Sequence, residues 1–150
     1  MYSYDMHLSG RSISRYKQII YFEKQLLIET YIIGYKSQGE SILFFIKTDG
    51  GISFSGLIDC FCLKDIDKVR DVLEANKITA LDFICWTHPD WDHSKGLKSI
   101  IDNYTSEKTH IWIPESVEMG EIKCSKEVRE LFQYLKECTV NCSTEYNVYS

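Results

Sequence analysis

A chain of 150 residues with 44% apolar and 26% charged side chains has the composition of an ordinary globular domain, and folding at this size hides roughly 68–70% of the surface of the unfolded chain. A formal charge of −5 gives no overall attraction for nucleic acid or an anionic membrane, so a polyanion would need a local cationic groove or a bound metal. No apolar run reaches the length of a membrane span and the opening MYSYDMHLSGRSISRYK lacks the apolar centre of a secretory signal, which leads to the expectation of a cytoplasmic protein without a membrane partner.

Residues 1–20 are expected to be flexible. From Leu26 to Ile33 and from Ile42 to Ile46, β-branched and aromatic residues crowd two stretches joined by the turn-rich Gly34–Gly39, which predicts a hairpin. Asp49-Gly-Gly51 makes the next turn, and Ile52 to Asp59 supplies a third strand. The period then changes: Ile66, Val69 and Leu73 recur at helical spacing between Asp65, the expected N-cap, and Asn76, the expected stop. Leu81 to Trp86 is short enough for a buried strand. Leu97, Ile100, Ile101 and Tyr104 then repeat at i, i+3, i+4 and i+7, which predicts a helix capped by Ser94. His110 to Ile113 reads as a brief strand closed by Pro114, and Val128, Leu131, Phe132 and Leu135 place an apolar stripe on a final helix before a polar tail from Thr139. Strands first, then strands alternating with helices, imply one layered α/β domain over residues 1–150, of α+β character, built on a mixed sheet.

Between the buried strand and the following helix lies His88-Pro-Asp-Trp-Asp-His93, two imidazoles and two carboxylates within six residues. Imidazole nitrogen with carboxylate oxygen suits Zn²⁺, and Mn²⁺ gains as oxygen ligands increase. In extended chain, alternate side chains face one way, so His88, Asp90 and Asp92 would converge while His93 turns toward a second centre, giving one or two ions. A divalent ion there acidifies water and stabilises charged oxygens, which makes hydrolysis the natural chemistry. The bland alternative is a polar connection whose Asp92 or Ser94 caps the helix and whose histidines are solvated. Four candidate ligands at a strand's carboxyl end weigh against it.

Thr87-His-Pro-Asp-Trp-Asp-His-Ser-Lys-Gly-Leu97 resembles the motif of the metallo-β-lactamase superfamily, His-x-His-x-Asp-His followed by a Gly-rich helix start. Asp90 stands where most members have the second histidine, a variant similar to that in the hydrolase-like domains of bacterial DNA-uptake competence proteins. The resemblance covers about Leu26 to Pro114 and implies half of an αββα sandwich, with helices on one face of the sheet. It also implies His88 and Asp90 on a first metal, and Asp92 and His93 on a second. Asp92 would orient the nucleophilic water, and Asp59, in Gly56-Leu-Ile-Asp59, would be a supporting residue. It favours a phosphodiester, nucleotide or nucleic acid as substrate, with another small molecule such as an acyl ester as the alternative within the same superfamily.

Members of that superfamily draw further ligands from a second half, whereas this sequence has no histidine after His110. A longer parent chain, a naturally short form, or a partner or second copy supplying the missing half would each account for this. The rival function is a non-catalytic binding or assembly module that keeps a partial metal site. Trp91 is balanced between lining a substrate cleft and packing over the loop, and Lys95 between meeting a phosphate and being solvated. Trp86 and Trp112 read as core, and His7 and His110 as solvated and structural. The six cysteines, Cys60, Cys62, Cys85, Cys124, Cys138 and Cys142, read as free thiols, since neither close pair names the partners a structural zinc site requires.

Overall fold

Runs of β-branched and aromatic residues in the first half of the chain give long antiparallel strands, and the shift to helical spacing after Asp59 gives parallel ones joined by helices. The computed structural model describes residues 5–7, 13–21, 25–35, 38–62, 67–114, 124–140 and 147–149. Strands β1 (Asp5–His7), β2 (Ile13–Tyr21), β3 (Gln25–Tyr35), β4 (Gln38–Thr48) and β5 (Gly51–Ile58) form an antiparallel meander. There follow α1 (Lys68–Ala75), β6 (Phe83–Cys85), α2 (Trp91–Ser94), α3 (Leu97–Asn103), β7 (His110–Trp112), α4 (Lys126–Val140) and β8 (Asn147–Tyr149). Strands β5 to β8 run parallel, and the eight strands lie in one mixed sheet in chain order.

Adding each parallel strand on the same side of the last, with crossovers of the usual right hand, puts every connecting helix on one face. The buried positions obey this. Paired residues share a face, and Ile33, Leu43, Phe45, Leu57, Ile84 and Ile111 form the covered one. Against it pack Val69 and Leu73 of α1, Leu97, Ile100 and Ile101 of α3, and Val128, Leu131, Phe132 and Leu135 of α4. Residues one step along each strand, among them Ile32, Ile42, Phe44, Phe54, Ile58 and Phe83, point the other way and are half-buried. No helix among the described residues is long and apolar enough to cross a membrane.

The structure revises several expectations. Asp65 and Ile66 lie outside the described residues, and the N-cap of α1 is Asp67, whose Oδ1 accepts the Arg70 N–H at 3.0 Å. Ser94 does not begin a helix. It ends the single turn α2, and α3 starts instead from Gly96, which is left-handed at φ 101°. Trp86 is core at 1% exposure, but Trp112 is 52% exposed, because on β7 it alternates with the buried Ile111 and faces away from the helices. His110 shares that outward face, its Nδ1 3.1 Å from the Tyr149 hydroxyl. Strands β1, β2 and β8 were not marked in the sequence.

Leu57, fully buried at the centre of the covered face, has no room to be replaced without a void. Leu57→Ala should lower unfolding free energy by about 2–5 kcal/mol, read from urea denaturation at fixed protein concentration.

Candidate metal centre

The site is assembled where β5 and β6 end side by side. Asp59, the residue after β5, adopts a left-handed backbone at φ 54°, a region that Asp enters more readily than most residues. Its N–H donates to the Cys85 carbonyl at 2.8 Å, and Cys60 and Cys62 N–H then donate to the carbonyls of His93 at 3.0 Å and Lys95 at 2.8 Å. The chain leaving β5 is thereby fastened along the loop that leaves β6.

Asp59 is buried, and its carboxylate is met by donors from that loop. Oδ1 accepts the Thr87 N–H at 2.7 Å and Oδ2 accepts the Thr87 hydroxyl at 2.6 Å, while His93 Nδ1 lies 3.0 Å from Oδ2. With its proton given to Asp59, the Thr87 oxygen is left to accept from His88 Nδ1, 2.7 Å away. This pattern assigns the protons of both rings to Nδ1 and leaves both Nε2 lone pairs free, the usual way an outer carboxylate or hydroxyl sets a histidine for a metal. The two rings sit 3.8 Å apart, centre to centre.

Asp59, His88 and His93 each offer one ligand atom, and these atoms lie within 4.8 Å of one another, so the three can hold a metal ion. Donors around a tetrahedral zinc stand about 3.4 Å apart when each is about 2.1 Å from the ion, a spacing inside that 4.8 Å limit. A carboxylate has about four lone-pair positions, and three donors reach Asp59, which leaves one on Oδ1. Side-chain exposure rises from 8% at Asp59 through 19% at His93 to 46% at His88, so the site opens to solvent along one side.

The loop does not stay extended. It is extended through Asp90 and then turns into α2, which swings His93 back onto His88 instead of toward a second centre. Asp90 is 70% exposed, with Oδ2 3.7 Å from His88 Nε2, and Asp92 lies in the first turn of α2; neither belongs to the three-residue group. Asp59, read from sequence as a supporting residue, is part of it. Thr87 was given no role in the sequence, and its hydroxyl bridges the carboxylate and one histidine. Trp91 packs edge-on against Phe61 at 5.3 Å yet stays 37% exposed, and Lys95 Nζ lies 4.7 Å over its ring.

The loop is anchored to the core through Ser94. Its hydroxyl donates to the Asp90 carbonyl at 2.6 Å and accepts from Trp86 Nε1 at 3.0 Å, and the Trp86 ring packs 4.4 Å from Phe132 of α4. Cys60, Cys62, Cys85 and Cys124 are free thiols. Burial pushes the Cys60 thiol well above its ordinary pKa, and burial also raises Cys62 and Cys85, so all three stay protonated near neutral pH and are poor metal ligands. The side chains of Cys138 and Cys142 lie outside the described residues.

Comparison of the chain with protein-family models, with curated proteins and with solved structures finds no match in any of the three.

A Cβ on Gly96 would stand 2.9 Å from Cys62 Cβ and 3.1 Å from its sulfur, at a φ that L residues rarely adopt. Gly96→Ala should cost about 1–3 kcal/mol, measured by denaturation. The Asp59→Asn variant keeps a side chain suited to the left-handed backbone but loses the charge. Elemental mass spectrometry of protein prepared without chelator should show bound divalent metal falling about 10–100-fold in that variant and to background in His93→Ala. Equal metal in all three proteins would place the ion elsewhere.

Proposed function

We propose that this chain carries the metal centre of a metallo-β-lactamase-type hydrolase acting on a phosphodiester or nucleotide, with Zn²⁺ or Mn²⁺ as the ion. The observation that carries the reading is the convergence of His88, His93 and Asp59 at the carboxyl ends of two adjacent parallel strands, with one side open. Two imidazoles and a carboxylate with a vacant position form a donor set used by catalytic zinc. When bound, the ion would polarise a substrate oxygen and make a water acidic enough to attack near neutral pH.

The protein's own groups divide the remaining work. Thr87 and Asp59 hold the two rings in the tautomer that a cation needs. Asp92, which has no hydrogen-bond or ion-pair partner among the described residues, is the carboxylate proposed to orient the water and take its proton. Lys95, beside the site on the face of Trp91, supplies a positive charge for an anionic substrate, and the exposed part of Trp91 offers a surface for a base or ring. A cytoplasmic setting is consistent with free thiols at Cys60, Cys62, Cys85 and Cys124.

The second reading, a non-catalytic assembly module with a partial metal site, draws support from the apolar sheet face that none of the described helices covers. Hydrolysis of bis(p-nitrophenyl) phosphate, with nitrocefin and p-nitrophenyl acetate as comparison substrates, separates the two. Protein loaded with Zn²⁺ or Mn²⁺ should turn over the phosphodiester, with Thr87→Val slowed about 10–100-fold and His93→Ala at background. Stoichiometric metal without turnover of any of the three would favour the module.

A further inference from the structure

We propose that the helix-free face of the sheet is a self-association surface on which a second copy of this chain packs, sheet against sheet. In register across the strands this face presents Ile28, Thr30 and Ile32, then Ile42, Phe44 and Ile46, then Phe54, Gly56 and Ile58, then Phe83 and Cys85, and finally His110, Trp112 and Tyr149. None of these positions is Lys, Arg, Asp or Glu. None of these side chains belongs to the core beneath the helices or packs against it among the described residues. The same sheet is therefore apolar on both faces, and helices cover one.

Aromatic rings pack on one another across this face. Phe44 lies across Gly56, where a Cβ would come within 2.2 Å of the ring, and stacks on Phe54 at 6.1 Å. Towards the β8 edge, Trp112 at 52% and Tyr149 at 41% exposure stand with rings 5.8 Å apart. Large aromatics of this kind dominate binding energy at interfaces.

The size fits a copy of the chain. Six strands at about 4.8 Å spacing, three presenting about 17 Å of strand and three about 10 Å, give roughly 400 Å² in plan. Side-chain relief enlarges that figure, and a monomer's largest apolar patch is about 300–600 Å². Two such faces together approach the roughly 1,200 Å² at the lower end of specific interfaces. The positions named on this face carry no lysine or arginine to meet a polyanion. A two-fold axis through the face makes it self-complementary, with sheets about 10 Å apart as in a β-sandwich. Glu40, paired with Gly34 near the start of β4, is a charged residue on the same face and lies outside the aromatic stretch.

The proposal stands without the metal reading and is tested without metal. Sedimentation velocity of the full chain, in chelator and from micromolar to hundreds of micromolar, should show a monomer–dimer equilibrium. Trp112→Lys and Phe54→Lys should each raise the dimer Kd at least about tenfold, with far-UV circular dichroism unchanged. Trp112 is already half-exposed, so its variant stays folded, and together with Tyr149→Lys it decides the question even where Phe54→Lys unfolds. A monomer throughout the range for the unmodified chain would overturn the proposal, and so would a dimer that Trp112→Lys and Tyr149→Lys leave intact.

Discussion

Buried Asp59 is the group on which the site depends. A carboxylate removed from water must be surrounded by donors or it will neutralise itself or unfold its surroundings. Here the donors come from the loop after the neighbouring strand: the Thr87 backbone, the Thr87 hydroxyl and His93. Satisfying one charge therefore fixes the direction of two side chains in another part of the sequence. The left-handed backbone at Asp59 belongs to the same solution, since it turns the chain so that its N–H still reaches Cys85 while Cys60 and Cys62 clamp the far side of the loop. Strain of about 1–2 kcal/mol at one residue is offset by hydrogen bonds that a straight exit from the strand would forgo.

The loop is held from below as well. Ser94 sits between the Asp90 carbonyl and the Trp86 indole, and Trp86 is packed against Phe132, so the turn carrying His93 is tied to the hydrophobic core and to α4. Gly96 lets the chain pass close over Cys60 and Cys62 before α3 begins. Core packing, the turn and the histidine geometry are thus a connected set of contacts. A ligand set held on rigid support loses little entropy when it closes on an ion.

Much of this was legible in the sequence, for identifiable reasons. Strands β3 to β7 announced themselves by residue type and run length, helices α1, α3 and α4 by period, and His88 with His93 by residue type and position after a buried strand. The finer geometry turned on a single helical turn at Trp91–Ser94, too short to leave a periodic signal, which takes Asp92 off the line of His88 and Asp90 and folds His93 back. Ser94 looked like a cap because serine before an apolar run usually is one, yet its hydroxyl serves a carbonyl four residues earlier. The role of Thr87 needs a partner 28 residues away in sequence and has no local mark. Trp112 was misplaced because a three-residue strand shows too little alternation to say which side faces the helices.

One topological fact underlies both the site and the open face. Because β5 to β8 are laid down in chain order in a single direction, their carboxyl ends line up along one edge, where Asp59 and the histidine loop meet, and their helices gather on one side. A sheet wound in both directions would have covered its second face with helices. This one presents Phe44, Phe54 and Trp112 there instead. The candidate metal ligands lie at the strand ends and the apolar surface lies across the strands, so no candidate ligand is shared between them. The proposed metal binding and the proposed association are for that reason separable, and a change to one surface leaves the geometry of the other in place.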